Sequence, residues 1–499
     1  MKCCYRLNVL LLSILTTHLF SWHSLSGAVD SPNVIVILID DMGVMDSELR
    51  DHAFYETPSI KALAERGMTF ENGYCAHPRC VPSRYAIQSG RFPCRNATNA
   101  AGPEVQLRRR KMIGEAFVEN GYATFFTGKW HLGKEEKDWP HHCGFEVNIG
   151  GCHAGAPGSY FFPYHVARKS GKEDKYGPLF LLGEGEKDEH LSDRITRETL
   201  QWIRSTVESG EKKPFFAFLS HYAVHTPIEG KPEEVAYFEK KAEGLVDSSQ
   251  PEYLEQDGQT KTRRDNAHYA SMLKTMDESV GRVLKLIDDL GISEDTVIAF
   301  TSDHGGLSNR GAESGRDVAT SNLPYRAGKG HLYEGGLRVP FLMIYPPVVE
   351  AGSKTDAVAV GTDLYPTLLD LAGIELLPDE HSDGISLVPA LKGESLVRSR
   401  PLIWHSPKPR PDQTGDDAAS AIRVGDFKLV KRYFPVSFEL YDLGIDPYEV
   451  NDLALEKPKE LENLRDSLER ILTSWDSMEP RKNWRDSSIT APLVSGGEG

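Results

Sequence analysis

The run His77-Pro78-Arg79-Cys80-Val81-Pro82-Ser83-Arg84 places a cysteine two residues ahead of a proline and four ahead of an arginine. Pro82 suits the first turn of a helix and Gly90 its end, so residue 80 is expected at a helix N-terminus. Backbone N–H groups attract anions there and lower a thiol's pKa, which would make Cys80 a nucleophile. Arg84, one turn in, would face the same way and either fork onto an oxyanion or steady the nucleophile. The plainer role for a lone cysteine is structural burial. Asp40, Asp41 and Asp303 are hard oxygen donors of the kind Ca²⁺ or Mg²⁺ takes. His304 could ligate the same ion or donate a hydrogen bond. A set richer in histidine would point to zinc, so the excess of carboxylates favours calcium. An adjacent acidic pair closing a buried strand is costly without a cation, although Asp-Asp alone is more often a strand-end turn.

The elements that must position these groups can be read from hydrophobic pattern. Residues 33–39 are a continuous apolar run, as in a strand of a parallel sheet buried on both faces. Further apolar strands are expected at 122–127, 215–219, 297–301 and 339–345. Helices are expected at 58–66, with Thr57 as N-cap, and at 191–206. A third, at 266–290, would bury Met272, Met276, Val280, Val283 and Ile287 on one face. The alternation argues for an α/β fold: a large mixed, mostly parallel sheet sandwiched by helices. In such sheets ligands bind beyond the C-terminal strand ends. Those ends run into Asp40-Asp41, into Lys129 and His131, towards His225, and into Asp303-His304. Four strands would thus deliver carboxylates, lysine and histidines to one rim.

Segments 229–265, 305–330 and 407–420 read as irregular, the second as a long surface loop. A compositional change near 392–400 marks a boundary. Beyond it, antiparallel strands at 421–430 and 438–443 and a helix at 458–475 predict a smaller C-terminal α+β subdomain. The expected division is a signal peptide at 1–28, a catalytic domain at 29–395, a C-terminal subdomain at 396–485 and a mobile tail at 486–499.

The 499 residues are 39% apolar and 26% charged, with a net charge of −16, which argues against broad nucleic-acid binding. A local basic pocket can still oppose the global sign and hold an anion. Lys2 and Arg6, the apolar stretch 7–20 and Ser26-Gly27-Ala28 form a secretory signal, too short and polar for a membrane anchor. Its removal would bring the charge to −18 and imply a secreted or periplasmic protein. Five cysteines would remain. Bridges Cys143–Cys152 and Cys75–Cys94 would leave Cys80 unpaired; the alternative is five reduced, buried thiols. Asn96-Ala97-Thr98 is a glycosylation sequon, and the basic run 108–111 is either a polyanion contact or a solvated helix face.

Cys80-Val81-Pro82-Ser83-Arg84, followed by Ser89-Gly90-Arg91, resembles the signature of the type I sulfatases. So do Gly128-Lys129-Trp130-His131-Leu132-Gly133, Ser302-Asp303-His304-Gly305, Gly328-Lys329-Gly330 and Tyr333-Glu334-Gly335-Gly336-Leu337-Arg338-Val339-Pro340. They occur in the family's order and span most of residues 33–450. Gln88 and Ser89 depart from its common residues. The resemblance implies an alkaline phosphatase-like fold and a Cys80 oxidised to formylglycine by a maturation enzyme. The hydrated aldehyde would attack sulfur with one hydroxyl and expel sulfate with the other.

The same resemblance implies Ca²⁺ held by Asp40, Asp41, Asp303 and His304 with residue 80. Asp303 would also accept the attacking hydroxyl's proton. Arg84 would brace the nucleophile, His131 would serve as base for sulfate release, and His225, with His221 close by, would protonate the leaving oxygen. Lys129 and Lys329 would bind sulfate oxygens, with His331 and Arg338 as reserve candidates. His153 and His405 lie in stretches resembling polysaccharide-active relatives and would read sugar hydroxyls. The implied substrate is a sulfated carbohydrate, a polysaccharide or glycosaminoglycan carrying galactose or N-acetylgalactosamine. The alternative is a phosphatase or phosphodiesterase on the same scaffold, for which Ser or Thr and two metals would be expected in place of Cys80.

Overall fold

The computed structural model describes residues 31–50, 53–95, 110–165, 179, 181–245, 249, 251–483 and 485. The expected signal peptide 1–28, the sequon at Asn96, residues 108–109 of the basic run and the tail 486–499 lie outside them. Eight strands form the main sheet: β1 (Asn33–Ile39), β2 (Met68–Tyr74), β3 (Ala123–Gly128), β4 (Val147–Ile149), β5 (Phe215–Ser220), β8 (Thr296–Ser302), β10 (Phe341–Ile344) and β11 (Ser353–Val360). Their order is β11-β2-β10-β8-β1-β5-β3-β4. β10 runs antiparallel to both of its neighbours, while the other pairings in the sheet are parallel. A small sheet joins β6 (Tyr253–Glu255), β7 (Gln259–Lys261) and β9 (Asn309–Arg310). A C-terminal antiparallel sheet joins β12 (Leu402–Ser406), β13 (Ala419–Val424), β14 (Phe427–Tyr433) and β15 (Val436–Asp442). This is the mixed, mostly parallel α/β architecture with an antiparallel C-terminal sheet that the sequence predicts.

β1 explains its own composition. Ile35, Ile37 and Ile39 enter the core on one face, Val34, Val36 and Leu38 the core on the other. With both faces dry, apolar side chains are needed at every position. On the first face lie α1 (Pro58–Arg66), α4 (Leu191–Glu208), α5 (Pro232–Leu245) and α6 (Ala267–Asp289), on the second α2 (Cys80–Ser89), α3 (Ile113–Glu119) and the helix Leu364–Leu371. Met272, Met276, Val280, Val283 and Ile287 of α6 are all buried, as its periodicity predicts. Asn266 caps that helix by accepting from Tyr269 N.

Some expectations are corrected. Thr57 does not cap α1: its hydroxyl accepts from Glu48 N. Asp277, reaching from α6, takes the N–H groups of Ser59 and Ile60 at 2.9 and 2.8 Å. A carboxylate from a neighbouring helix does what the local residue was expected to do. Segment 229–265 contains α5 and the β6–β7 hairpin rather than an irregular excursion. The expected strand 421–430 is two strands folded at Gly425, whose φ of +58° fits a tight turn. Segment 305–330 is a surface loop only around 312–317: Leu307, Val318, Thr320 and Asn322 are buried. It can be buried because Asn322 Nδ2 donates to the carbonyls of Gly306, Ala327 and Gly335 at 3.0–3.2 Å, satisfying backbone that helix or sheet would otherwise pair. The two bridges are absent. Cys75, Cys80, Cys94, Cys143 and Cys152 are all buried and unbridged, the alternative left open by the sequence.

Candidate active site

β2 ends at Tyr74, and the chain then runs to α2, whose first residue is Cys80. Arg79 is the extended N-cap, and Gly90 closes the helix in the left-handed region at φ +64°. Cys80 is therefore at the helix start anticipated from Pro82 and Gly90. Its Sγ lies 3.2 Å from His304 Nε2. Ligand atoms of Asp40, Asp41, Cys80 and His304 all lie within 4.8 Å of one another. Asp303 is not among those four but adjoins them, with Oδ1 3.2 Å from Asp41 N and 3.5 Å from His304 Nε2. Asp41 holds φ +64° and His131 φ +58°, conformations that non-glycine residues adopt mainly where function or packing demands them.

The rim is thick with cations. Lys129 Nζ contacts Asp40 Oδ2, and Lys329 Nζ sits 2.6 and 2.7 Å from the two oxygens of Asp41. Arg84 Nε donates to Asp303 Oδ2 at 2.9 Å, and its Nη1 donates to Lys129 O at 2.7 Å and Ser220 Oγ at 2.8 Å. Burial pushes the Cys80 thiol up, but Lys129, Lys329 and His304 outweigh it and hold the group well below the ordinary thiol range. Burial works the same way on Asp41, and Lys329, His225 and His304 overcome it, so this carboxyl is held down. Asp303 goes the other way. Its burial and the negative charge of Asp40 push it up to about 7.

The donors fit a hard cation. Asp40 Oδ1 is buried, takes no hydrogen bond, and has Arg84 Nη2 no closer than 3.5 Å. An unsatisfied carboxylate oxygen in a dry site is costly, and it belongs to the same cluster as Asp41, residue 80 and His304. A divalent ion would satisfy it and relieve the crowding of three carboxylates.

Two histidines face this centre. His131 lies against Cys80 as a side-chain hydrogen-bond partner, and burial, followed by Lys129, pushes it down to about 4. Gly155 packs on its ring: a Cβ there would lie 2.3 Å from His131 Nε2. His225 Nε2 is 3.9 Å from Asp41 Oδ2, while its Nδ1 donates to Thr226 O at 2.7 Å. His221, close in sequence, is turned away and pairs with Ser279 Oγ at 3.0 Å.

Other candidates are not brought to the centre. His405 is corrected: it is buried, with Nδ1 2.6 Å from Ser420 Oγ and Nε2 2.7 Å from Met478 O, so neither nitrogen can read a sugar hydroxyl. His153 is exposed and stacks on Trp139 with ring centroids 5.9 Å apart. Arg338 is spent on Glu334 and on Glu71 O, and His331 Nε2 donates to Thr414 O at 2.9 Å. Sequence reasoning missed Ser220, which fixes Arg84. Its signal was present, since it closes β5 as Asp40 follows β1.

The sulfatase family model matches residues 32–374, and the model described as N-sulphoglucosamine sulphohydrolase, C-terminal, matches residues 327–477. N-acetylgalactosamine-6-sulfatase of Canis lupus familiaris is 29% identical over 441 residues, covering 84% of this chain and 76% of that protein. A sulfatase of Formosa agariphila is 28% identical over 502 residues, covering 86% and 85%. The crystal structure of Ps i-CgsB in complex with k-i-k-neocarrahexaose superposes with a TM-score of 0.74 at 27% identity, covering 92% of this chain and 96% of that one.

Proposed function

The chain belongs to the sulfatase family, as a type I sulfatase of the alkaline phosphatase superfamily, and from that premise we propose that Cys80, once oxidised to formylglycine, is the nucleophile of a sulfated-carbohydrate sulfatase. The carrying observation is the convergence of Lys129, Lys329, Arg84, His131 and His225 around the buried start of α2. A sulfate ester brings negative charge into the site and shifts more of it onto the leaving oxygen as the S–O bond breaks. Fixed cations and proton donors are the groups that stabilise such a change.

Asp40, Asp41, Asp303 and His304 would hold Ca²⁺ with residue 80, and the ion would supply positive charge that offsets that of the sulfate. Arg84, anchored by Asp303, Ser220 and the Lys129 carbonyl, fixes the start of α2 and so the position of the nucleophile. Lys129 and Lys329 bind sulfate oxygens. His225 presents Nε2, because Nδ1 is committed to the Thr226 carbonyl, and gives a proton to the sugar oxygen as it departs. His131, neutral at physiological pH, takes the proton of the second hydroxyl as sulfate leaves and the aldehyde re-forms.

The substrate reading rests on the name of the dog relative and on the oligosaccharide in the Ps i-CgsB complex, which favour a sulfated, galacto-configured sugar. His153, exposed and stacked on Trp139 away from the centre, would meet the sugar chain beyond the sulfate. Residues 1–28 would export the enzyme, which would then act as a secreted or periplasmic protein. Maturation would require a formylglycine-generating enzyme in the same host. The test is mass analysis of the Cys80 peptide together with release of sulfate and phosphate from matched aryl esters. Formylglycine and faster sulfate release are expected; faster phosphate release would defeat the reading.

A further inference from the structure

Two arginines outside the catalytic set stand beside it on separate segments. Arg316 follows β9, and Arg410 lies between β12 and β13. The segments are stitched together: Gly311 N donates to Gln413 O at 3.2 Å, and a Cβ on Gly311 would lie 2.1 Å from Pro411 O. The turn carrying Arg410 is tight, because the Arg410 carbonyl accepts from the N–H groups of Gln413, Thr414 and Gly415. Arg410 N donates to Asp416 Oδ2 at 3.2 Å. Asp416 in turn takes Arg79 Nη2 on both oxygens, at 2.6 and 2.7 Å, and Arg79 precedes Cys80 directly.

Asp416 attracts both Arg79 and Arg410. Arg316 is half-buried, and among the described residues its guanidinium has neither a hydrogen-bond acceptor nor a carboxylate partner. Arg316 feels the charges of Asp41 and Cys80, and Arg410 feels that of Cys80. Burial, and then the charge of Arg79, push Arg410 down to about 10, with Arg316 adding to the repulsion. Elsewhere the chain pairs its buried arginines: Arg84 with Asp303, Arg338 with Glu334. Half-buried Arg316, unpartnered among the described residues and near enough to Cys80 to feel its charge, is what an incoming oxyanion would neutralise by forked hydrogen bonds, with Arg410 adding positive charge beside it.

We propose that Arg316 and Arg410 form a second anion subsite, which receives a charged group of the substrate other than the sulfate being cleaved. That group is a further sulfate ester or a carboxylate on the same or the adjoining sugar. The inference rests on the sulfatase reading for its substrate class, and it makes the enzyme selective for densely charged glycans.

The test is calorimetric binding to the full chain carrying Cys80→Ala, so that no turnover is needed. The probes are a monosulfated galactose disaccharide, the same disaccharide with a second sulfate, and one with an adjoining uronate. Either doubly charged probe is expected to bind at least about tenfold more tightly than the monosulfated one. Adding Arg316→Gln, whose guanidinium has no partner among the described residues to lose, should remove most of that preference, and so should Arg410→Gln. The arm that loses more identifies the group as sulfate or carboxylate. Equal affinity for all three probes, or an equal loss across them in Arg316→Gln, would overturn the subsite. The underlying activity is judged separately, by sulfate release from an aryl ester with the Cys80 protein. A failure there leaves the binding preference standing or falling on its own.

Discussion

Cys80 Sγ and His304 Nε2 are 3.2 Å apart, although 224 residues separate them in the chain. One opens α2 and the other follows β8, so the contact closes the centre of the site between a helix start and a strand end. Replacing Cys80 with alanine removes the proposed nucleophile and leaves the scaffold. Turnover should fall by about a thousandfold or more, measured as sulfate release by ion chromatography. Activity within tenfold of the parent would mean that residue 80 does not do the chemistry.

Chelation tests the proposed cation. Without one, Asp40, Asp41 and Asp303 repel one another in a buried rim. EGTA is expected to lower both activity and melting temperature. Added Ca²⁺ should restore both in proportion to its concentration, as for any ligand that binds only the folded form. A melting curve indifferent to EGTA and Ca²⁺ would count against a calcium site.

His131 is positioned by the absence of a side chain at Gly155. Gly155→Ala would push the imidazole off Cys80 without touching the core. The expected result is a fall in kcat on the order of ten- to a hundredfold with an unchanged far-UV spectrum. Undiminished kcat would show that the ring either does not move or does not matter.

Acid should weaken the fold through its buried histidines. Burial, followed by the charge of Lys431, pushes His405 down to about 4, against 6.5 for a free imidazole. The unfolded chain thus binds a proton below pH 6.5 that the folded chain refuses until about pH 4. The stability this group contributes is complete above pH 6.5 and is lost as pH falls toward 4. Asp46 and Asp277, pushed up by burial to about 6, act in the opposite sense. A His405→Gln variant isolates the histidine. Its deficit in unfolding free energy relative to the parent should shrink by about 2 kcal/mol between pH 7 and pH 5, seen in urea titrations. A gap independent of pH would contradict the burial argument.

Lys428 of β14 is fully buried, 2.8 Å from both Glu334 and Glu449. Lys428→Met would leave Glu449 without its cation in a dry interior, while Glu334 keeps Arg338, at a cost of about 3–5 kcal/mol. Differential scanning calorimetry should show a markedly lower melting temperature. A variant as stable as the parent would mean the pair relaxes by protonation.

The rim was legible wherever a parallel strand delivers its residue. Asp40, Lys129, His225 and Asp303 all lie beyond C-terminal ends, and apolar runs mark those strands. Lys329 could not be found that way. It precedes β10, which runs antiparallel and so brings its N-terminal end to the rim, with Phe341 opposite Thr301. β2 was also hidden, because MTFENGY lacks the continuous apolar run of β1, although it is the strand that leads into Cys80. Only the family motifs pointed to Lys329. His405 misled in the opposite direction. A histidine beside a tryptophan carries no mark of whether its ring faces solvent or Ser420. The buried segment 305–330 misled too, since glycine and serine serve a packed, cross-bonded turn as well as a solvated one.

The contact between Lys428 and Glu334 also bears on the order of synthesis. A ribosome finishes every strand of the main sheet, and Lys329 with it, by residue 360. The carboxylate of Glu334, five residues from Lys329, still waits for a partner that is translated 94 residues after it. The nascent chain can therefore collapse its large sheet early, with Glu334 held by Arg338, and this carboxylate gains its buried lysine only when the last fifth has emerged. In that sense the final strands complete the charge balance behind the rim.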